Sequence, residues 1–264
     1  MSGTAEKEWC AEMDAMKKLD EVIWLSHEIG KEERQLAILG EGNTSANCED
    51  GTFWVKASGH SLPIIGSDGF SRVSLEKTLA YLDGEALDDQ QVSDALKDSL
   101  VNSEYPKPSV ETFLHALCMA ECGAKFIAHS HAVSVNQILC SKLGAEPFLG
   151  NICPDQIVVC GSAPAVVPYI DPGFTLALAV REEFRRYMDT YGRTPKVLLM
   201  VNHGFVALGK TAKEALNIQL MTDKWAKILI GAYTCGGVQY MSEENVLRIS
   251  NRMDEKYRSA ILEK

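Results

Sequence analysis

The chain opens on a helical pattern. Between residues 9 and 28, Met13, Met16, Leu19, Val22 and Ile23 recur at a rough helical period, and Gly30 ends the run. Residues 35–39 have the content of a short strand, and Gly40-Glu41-Gly42-Asn43-Thr44-Ser45 follows as a tight, Gly-rich turn. Residues 53–57 and 69–73 read as apolar strands, the first closed by Ser58-Gly59. Ser74 is placed to N-cap a helix through Leu82. Residues 84–98 are acidic and polar, a loop with a short surface helix. Pro106 and Pro108 bracket an extended stretch, after which Ser109 starts a helix over 110–122 that stops near Gly123. The pattern then predicts a strand at 125–129, a helix at 133–143, a strand at 156–160 and a turn at 168–173. A helix at 174–191, strands at 197–201 and 205–208, a long helix at 212–230 and a charge-rich helical segment at 243–262 complete it. With no repeat, low-complexity tract or Pro/Ser linker, the chain reads as one domain over 1–264, with helices layered on a mixed or largely antiparallel sheet.

Composition narrows the partners. A net charge of −10 argues against nucleic acid or an anionic membrane as a general partner, so a small anion would need a local positive site. No apolar run approaches the roughly 20 residues of a membrane span, and Met1–Trp9 is too polar for a signal peptide. Eight cysteines are scattered singly without a CxxC pair, which reads as reduced thiols in the cytoplasm. Cys118 and Cys122 are helix-spaced and read as core fillers.

Six histidines remain, and two lie together in Phe126-Ile127-Ala128-His129-Ser130-His131. On a strand, residues two apart share a face, so His129 and His131 would project two imidazoles to one side, as a divalent metal requires. His203, where the apolar run 197–201 leaves the core, is the third ligand candidate. His27 reads as a helix-surface side chain, His60 as a loop residue able to touch substrate, and His115 as a structural or supporting group one turn after Glu111. Three neutral ligands leave zinc an open position, the catalytic pattern; manganese, cobalt and iron accept the same ligands. Glu111 opens its helix either as a carboxylate favouring the helix dipole or as a general acid/base. Gly42-Asn43-Thr44-Ser45 and Ser58-Gly59 are candidate anion turns.

Five motifs in order resemble the class II aldolase/adducin family: Gly42-Asn43-Thr44-Ser45, Lys56-Ala57-Ser58-Gly59, Pro108-Ser109-Val110-Glu111 with His115, His129-Ser130-His131, and Asn202-His203-Gly204. They lie within a core of about residues 35–235, and the nearest branch is that of rhamnulose-phosphate-aldolase-like domains fused to a short-chain dehydrogenase. The resemblance implies a three-layer α/β/α domain with a central, mainly antiparallel sheet. It implies a divalent metal on His129, His131 and His203, zinc by default, and a catalytic carboxylate at Glu111. It implies a phosphate subsite at Gly42, Asn43, Ser58, Gly59 and Ser109, and a homotetramer with sites near subunit interfaces. Two departures stand out. Val110 replaces a second serine found in sugar-phosphate aldolases. The region 146–154 also lacks the tyrosine those enzymes use as proton donor, and Tyr169 lies further on.

The activity expected on this basis is metal-dependent retro-aldol cleavage of a small ketose, a ketose 1-phosphate, through an enediolate. The alternatives on the same metal site are a pentulose-phosphate 4-epimerase, a dehydratase or a decarboxylase. A glutamate at 111, where related epimerases have aspartate, favours cleavage over epimerisation. A non-catalytic, adducin-like module fits poorly with the complete histidine set and Glu111.

Overall fold

The computed structural model describes residues 3–254, 257 and 261. Among them, nine α-helices surround one seven-stranded sheet of order β3-β2-β1-β4-β7-β6-β5. The strands are β1 (Asn43–Asn47), β2 (Thr52–Lys56), β3 (Phe70–Ser74), β4 (Phe126–Ser130), β5 (Ala165–Val167), β6 (Val197–Met200) and β7 (Gly204–Gly209). Every neighbouring pair is antiparallel except β5 with β6. This is the α/β class expected, with a mainly antiparallel sheet.

Strand alternation divides the core into two sides. Phe126 and Ala128 of β4, with Trp54, Phe205 and Ala207, pack beneath α1 (Gly3–Ile29), α5 (Val133–Leu139), α6 (Pro154–Cys160) and α8 (Ala212–Thr234). Ile127, with Phe53, Val55, Val206 and Leu208, packs beneath α4 (Thr112–Cys122) and α7 (Phe174–Tyr191). A smaller cluster joins α2 (Leu75–Leu82) and α3 (Asp89–Asp98) to Phe113 and Phe174. Cys118 is buried among these apolar side chains and Cys122 packs against them, as core fillers do. No described helix is long and apolar enough to cross a membrane.

Most predicted elements form, α7 and α2 with the expected bounds and Ser74 as the helix cap. Five expectations change. Residues 35–39 are not a strand. A single 3-10 turn at Glu32–Arg34 leads into Gln35 and Leu39, both at positive φ (53° and 58°). The turn expected at 40–45 is shorter, because Asn43 already pairs with His129 as the first residue of β1. Residues 156–160 form α6 instead of a strand. Their β-branched content suggested extension, but Pro154 sits in the first turn after an extended Cys153, and Gln156, Ile157, Val159 and Cys160 bury a helical face. The helix expected over 133–143 stops at Leu139, and β5 is too short at three residues to announce itself. The C-terminal helix α9 (Glu243–Asn251) ends before Arg252; Leu262, the end of the expected segment, lies outside the described residues.

One tertiary clamp holds the histidine strand. Ser130 Oγ donates to Gln219 Oε1 of α8 at 2.6 Å, and Gln219 Nε2 donates to the Ala128 carbonyl at 2.6 Å, all fully buried. Gln219→Leu keeps the volume but leaves the Ser130 hydroxyl without its acceptor. It should destabilise the fold by about 1–3 kcal/mol, read as a lower urea midpoint at unchanged slope.

Candidate active site

β4 sends His129 to the α4 side of the sheet, opposite Asn43 on β1 and Val206 on β7. His131 follows just past the strand end, and its backbone N–H donates to the Leu36 carbonyl. His203 sits in the turn between β6 and β7, where Asn202 takes a left-handed φ of 58° and Asn136 Nδ2 donates to the His203 carbonyl. The next residue must be glycine. A Cβ at Gly204 would lie 2.5 Å from the Ser130 carbonyl oxygen and 2.9 Å from the His131 ring. The three rings thereby meet, with one nitrogen of each within 4.8 Å of the others.

Their hydrogen bonds decide which atoms face inward. A carbonyl can only accept, so His129 Nδ1 carries its proton to the Phe205 oxygen at 3.0 Å. An ionised carboxylate can only accept, so His131 Nδ1 carries its proton toward Glu41 Oε2 at 3.2 Å. The two Nε2 atoms then present lone pairs to one another at 2.9 Å. Burial pushes the pKa of His129 down to about 3, with His131 adding to the effect, so a proton on that ring is a poor remedy. Burial likewise lowers His203 to about 4, reinforced by His129 and opposed by Glu111. Facing lone pairs on neutral imidazoles call for a cation between them, and this donor set fits a divalent metal of the zinc type.

Glu111 precedes the first residue of α4, and its side chain makes no helix cap. The carboxylate is aimed into the cluster, Oε2 lying 3.4 Å from His129 Nε2 and Oε1 3.4 Å from His203 Nε2. It is buried, and Oε1 has no hydrogen-bond partner among the described residues. Oε2 accepts from Asn43 Nδ2 at 2.6 Å. Asn43 Oδ1 in turn faces His115 Nε2, and His115 Nδ1 faces Ser45 Oγ at 2.6 Å. Because Asn43 donates to Glu111, its oxygen must accept, so His115 is protonated on Nε2 and takes the Ser45 proton on Nδ1. Complete burial lowers the His115 pKa to about 3, which keeps this chain of groups neutral up to the Glu111 carboxylate. His115 is thus the supporting group expected of it.

Of the residues foreseen for an anion, Asn43 and Ser109 are brought to Glu111. Asn43 Nδ2 is also 3.4 Å from Ser109 Oγ, Ser109 N–H donates to the Lys56 carbonyl, and Ser58 N–H donates to the Lys107 carbonyl. Gly42 leads into Asn43 at φ +74°, where a Cβ would meet the His129 carbonyl at 2.8 Å. Gly59, at φ +85°, has open space where a side chain would be. Val110 is exposed beside Ser109. Two charged residues were not singled out by pattern. Lys56 is 4% exposed at the end of β2, and the single hydrogen bond of its ammonium among the described residues is a long one, 3.5 Å, to the Gly40 carbonyl. Burial lowers its pKa and the charge of Glu111 opposes this. Glu41 touches His131, a contact between side chains 90 positions apart that no local spacing encodes. Two histidines fall elsewhere. His27 is a tether, Nε2 bonding the Ile65 carbonyl at 2.8 Å, and His60 packs against Gly69.

The sequence profile of the Class II Aldolase and Adducin N-terminal domain matches residues 21–230. The chain belongs to this family. It is 32% identical to the N-terminal class II aldolase domain of a conserved protein from Thermoplasma acidophilum, over 80% of this chain and 93% of that one, with a TM-score of 0.65. An L-fuculose 1-phosphate aldolase shares the fold at 20% identity, over 92% and 96% of the two chains, with a TM-score of 0.67. A Bacillus subtilis protein described as the uncharacterized oxidoreductase YuxG is 28% identical over 78% of this chain, which spans 29% of that relative's length. The 3-oxo-tetronate 4-phosphate decarboxylase of Pectobacterium atrosepticum is 23% identical over 83% of this chain and 86% of its own. Class II aldolases are metal-dependent, and the three histidines form a candidate site for that metal.

The neutral imidazoles carry a pH signature. An imidazole held near pKa 3 or 4 when folded and near 6.5 when unfolded binds more protons in the unfolded state between those values. Stability is therefore full above about pH 6.5 and is lost as the pH falls toward 4. Metal-free protein should show a melting temperature that is level from pH 8 to about 7 and declines below about 6.5. A level profile down to pH 4 would show that these rings are not held neutral.

Proposed function

We propose that this chain is a metal-dependent lyase that breaks a carbon–carbon bond of a small ketose, a ketose 1-phosphate, by retro-aldol chemistry. The observation that supports this most is the Glu111 carboxylate. It sits 3.4 Å from two of three convergent imidazoles and is withheld from any role in capping its helix. His129, His131 and His203 would hold the divalent cation, which when bound supplies Lewis-acid polarisation of the substrate carbonyl. Glu111 would move the proton to and from the carbon that loses its bond, its orientation fixed by the Asn43 amide. Asn43 itself is held by His115, which Ser45 holds in turn, so the base is aimed before substrate arrives.

Lys56 supports an anionic group on the substrate. A buried ammonium with one weak partner is costly unless an anion joins it. Asn43, Ser58, Gly59 and Ser109 would supply the rest of the anion pocket, with Gly42 shaping the turn before Asn43. Val110 supplies no hydroxyl to this pocket, so the lysine and the hydroxyls of Ser58 and Ser109 would hold the anion in its place. The same machinery also suits a decarboxylase, and the Pectobacterium atrosepticum relative, matched over most of both chains, favours that as the second reading. Both reactions leave electron density on a carbon beside a carbonyl, and both need a proton delivered there. Assay of ketose 1-phosphates and of 3-oxo-acid phosphates with metal-loaded protein, following aldehyde and carbon dioxide separately, decides between them. Turnover of neither class would overturn the proposal.

Glu111→Gln is nearly isosteric and removes only proton transfer. It should retain metal at wild-type stoichiometry and lose about 10²–10⁴-fold in kcat. Wild-type turnover by this variant would return Glu111 to a purely structural role. Lys56→Met should raise KM for a phosphorylated substrate by about 10–100-fold, the size of one charge-assisted hydrogen bond. The variant should process an unphosphorylated analogue as wild type does. Equal KM values for the phosphorylated substrate would place the anion elsewhere.

A further inference from the structure

We infer that Glu41 is a positioning residue for the metal centre, fixing the His131 tautomer that presents Nε2 to the cation. The inference rests on reading the three histidines as the metal ligands. Their outer nitrogens are held in three different ways. His129 Nδ1 donates to a carbonyl of the neighbouring strand, and His203 Nδ1 has no partner among the described residues. Among the described residues, only His131 has a carboxylate at its outer nitrogen, Glu41 Oε2. A carboxylate behind a ligating imidazole fixes the ring, excludes the wrong tautomer and makes the inward nitrogen a better donor.

Glu41 is itself held. Its other oxygen, Oε1, accepts from the Ile38 backbone N–H at 2.6 Å, and its own N–H reaches back to the Ile38 carbonyl. That closes the turn 38–41, whose exposed Leu39 sits at φ 58°, a left-handed conformation unfavourable to a branched side chain. The segment before the turn is tied to the histidine strand as well. His131 N–H donates to the Leu36 carbonyl and Val133 N–H to the Gln35 carbonyl. One carboxylate thus couples the ring of His131 to the turn that offers the Gly40 carbonyl to Lys56 and leads into Gly42 and Asn43. It also places a negative charge behind a ligand set that is otherwise neutral.

Glu41 meets two N–H donors with two acceptor oxygens. Glutamine has one acceptor oxygen and one amide NH2 that only donates, so Glu41→Gln can satisfy either Ile38 or His131 but not both. If the amide NH2 faces His131, the ring must move its proton to Nε2, the atom aimed at the metal. Zinc affinity measured by chelator competition, together with melting of the metal-free protein, tests this on wild type, Glu41→Gln, Glu41→Ala and His131→Ala. Both Glu41 variants should lose about 10–100-fold in zinc affinity, while their metal-free forms melt with the wild type. Wild-type affinity in both, beside a large loss in His131→Ala, would overturn the role of Glu41 and leave the three-histidine site standing. A loss of affinity matched by a fall in metal-free melting temperature would reduce Glu41 to holding the turn and overturn the inference too. Wild-type affinity in His131→Ala would overturn the metal-site reading itself.

Discussion

Two imidazole nitrogens 2.9 Å apart, both with unshared electron pairs inward, are the constraint around which this fold is arranged. Neutral donors repel at that distance unless a cation lies between them. The surroundings make the arrangement compulsory. Each proton is drawn outward by an oxygen that can only accept, the Phe205 carbonyl or the Glu41 carboxylate. Burial of His129 blocks the alternative of protonating it. Gly204 lets β7 approach the histidine strand closely enough for all three rings to meet. The Ser130–Gln219–Ala128 clamp holds that strand from the opposite side of the sheet.

Chemistry is set by charges placed around this cluster. The protein carries −10 overall, yet the mouth of the site combines one buried carboxylate with one buried ammonium. Glu111 gains a fixed orientation from a run of neutral groups, Ser45 to His115 to Asn43, in which each donor has only one sensible acceptor. Such a run transmits geometry without adding charge. Lys56 has one long hydrogen bond from its ammonium among the described residues, and this asymmetry between a well-held base and a poorly paired cation is what the proposed anionic substrate would use. The same asymmetry is compatible with either aldol cleavage or decarboxylation, because both leave negative charge on the carbon that Glu111 would serve.

Sequence periodicity alone determined the helices that pack one face on the sheet, such as α7 and α2, because their apolar stripes and caps are local. The histidine pair was legible for the same reason, since a two-residue repeat on a strand needs no knowledge of the rest of the fold. The ordered motifs placed Asn43, Ser58, Ser109, Glu111 and His203 on one list, and the family match bears out the resemblance. Tertiary structure alone decided the rest. Residues 156–160 became a helix because a proline-led turn and a buried helical face outweighed β-branched composition. Residues 35–39 became a loop because their carbonyls pair with the backbone beyond β4 while Glu41 draws the following turn against His131. Lys56 stood in a motif and Glu41 in a Gly-rich turn, neither with a role assigned. Their environments are built by segments tens of residues away, and burial and pairing at that range follow from how the sheet is ordered, which no local pattern encodes.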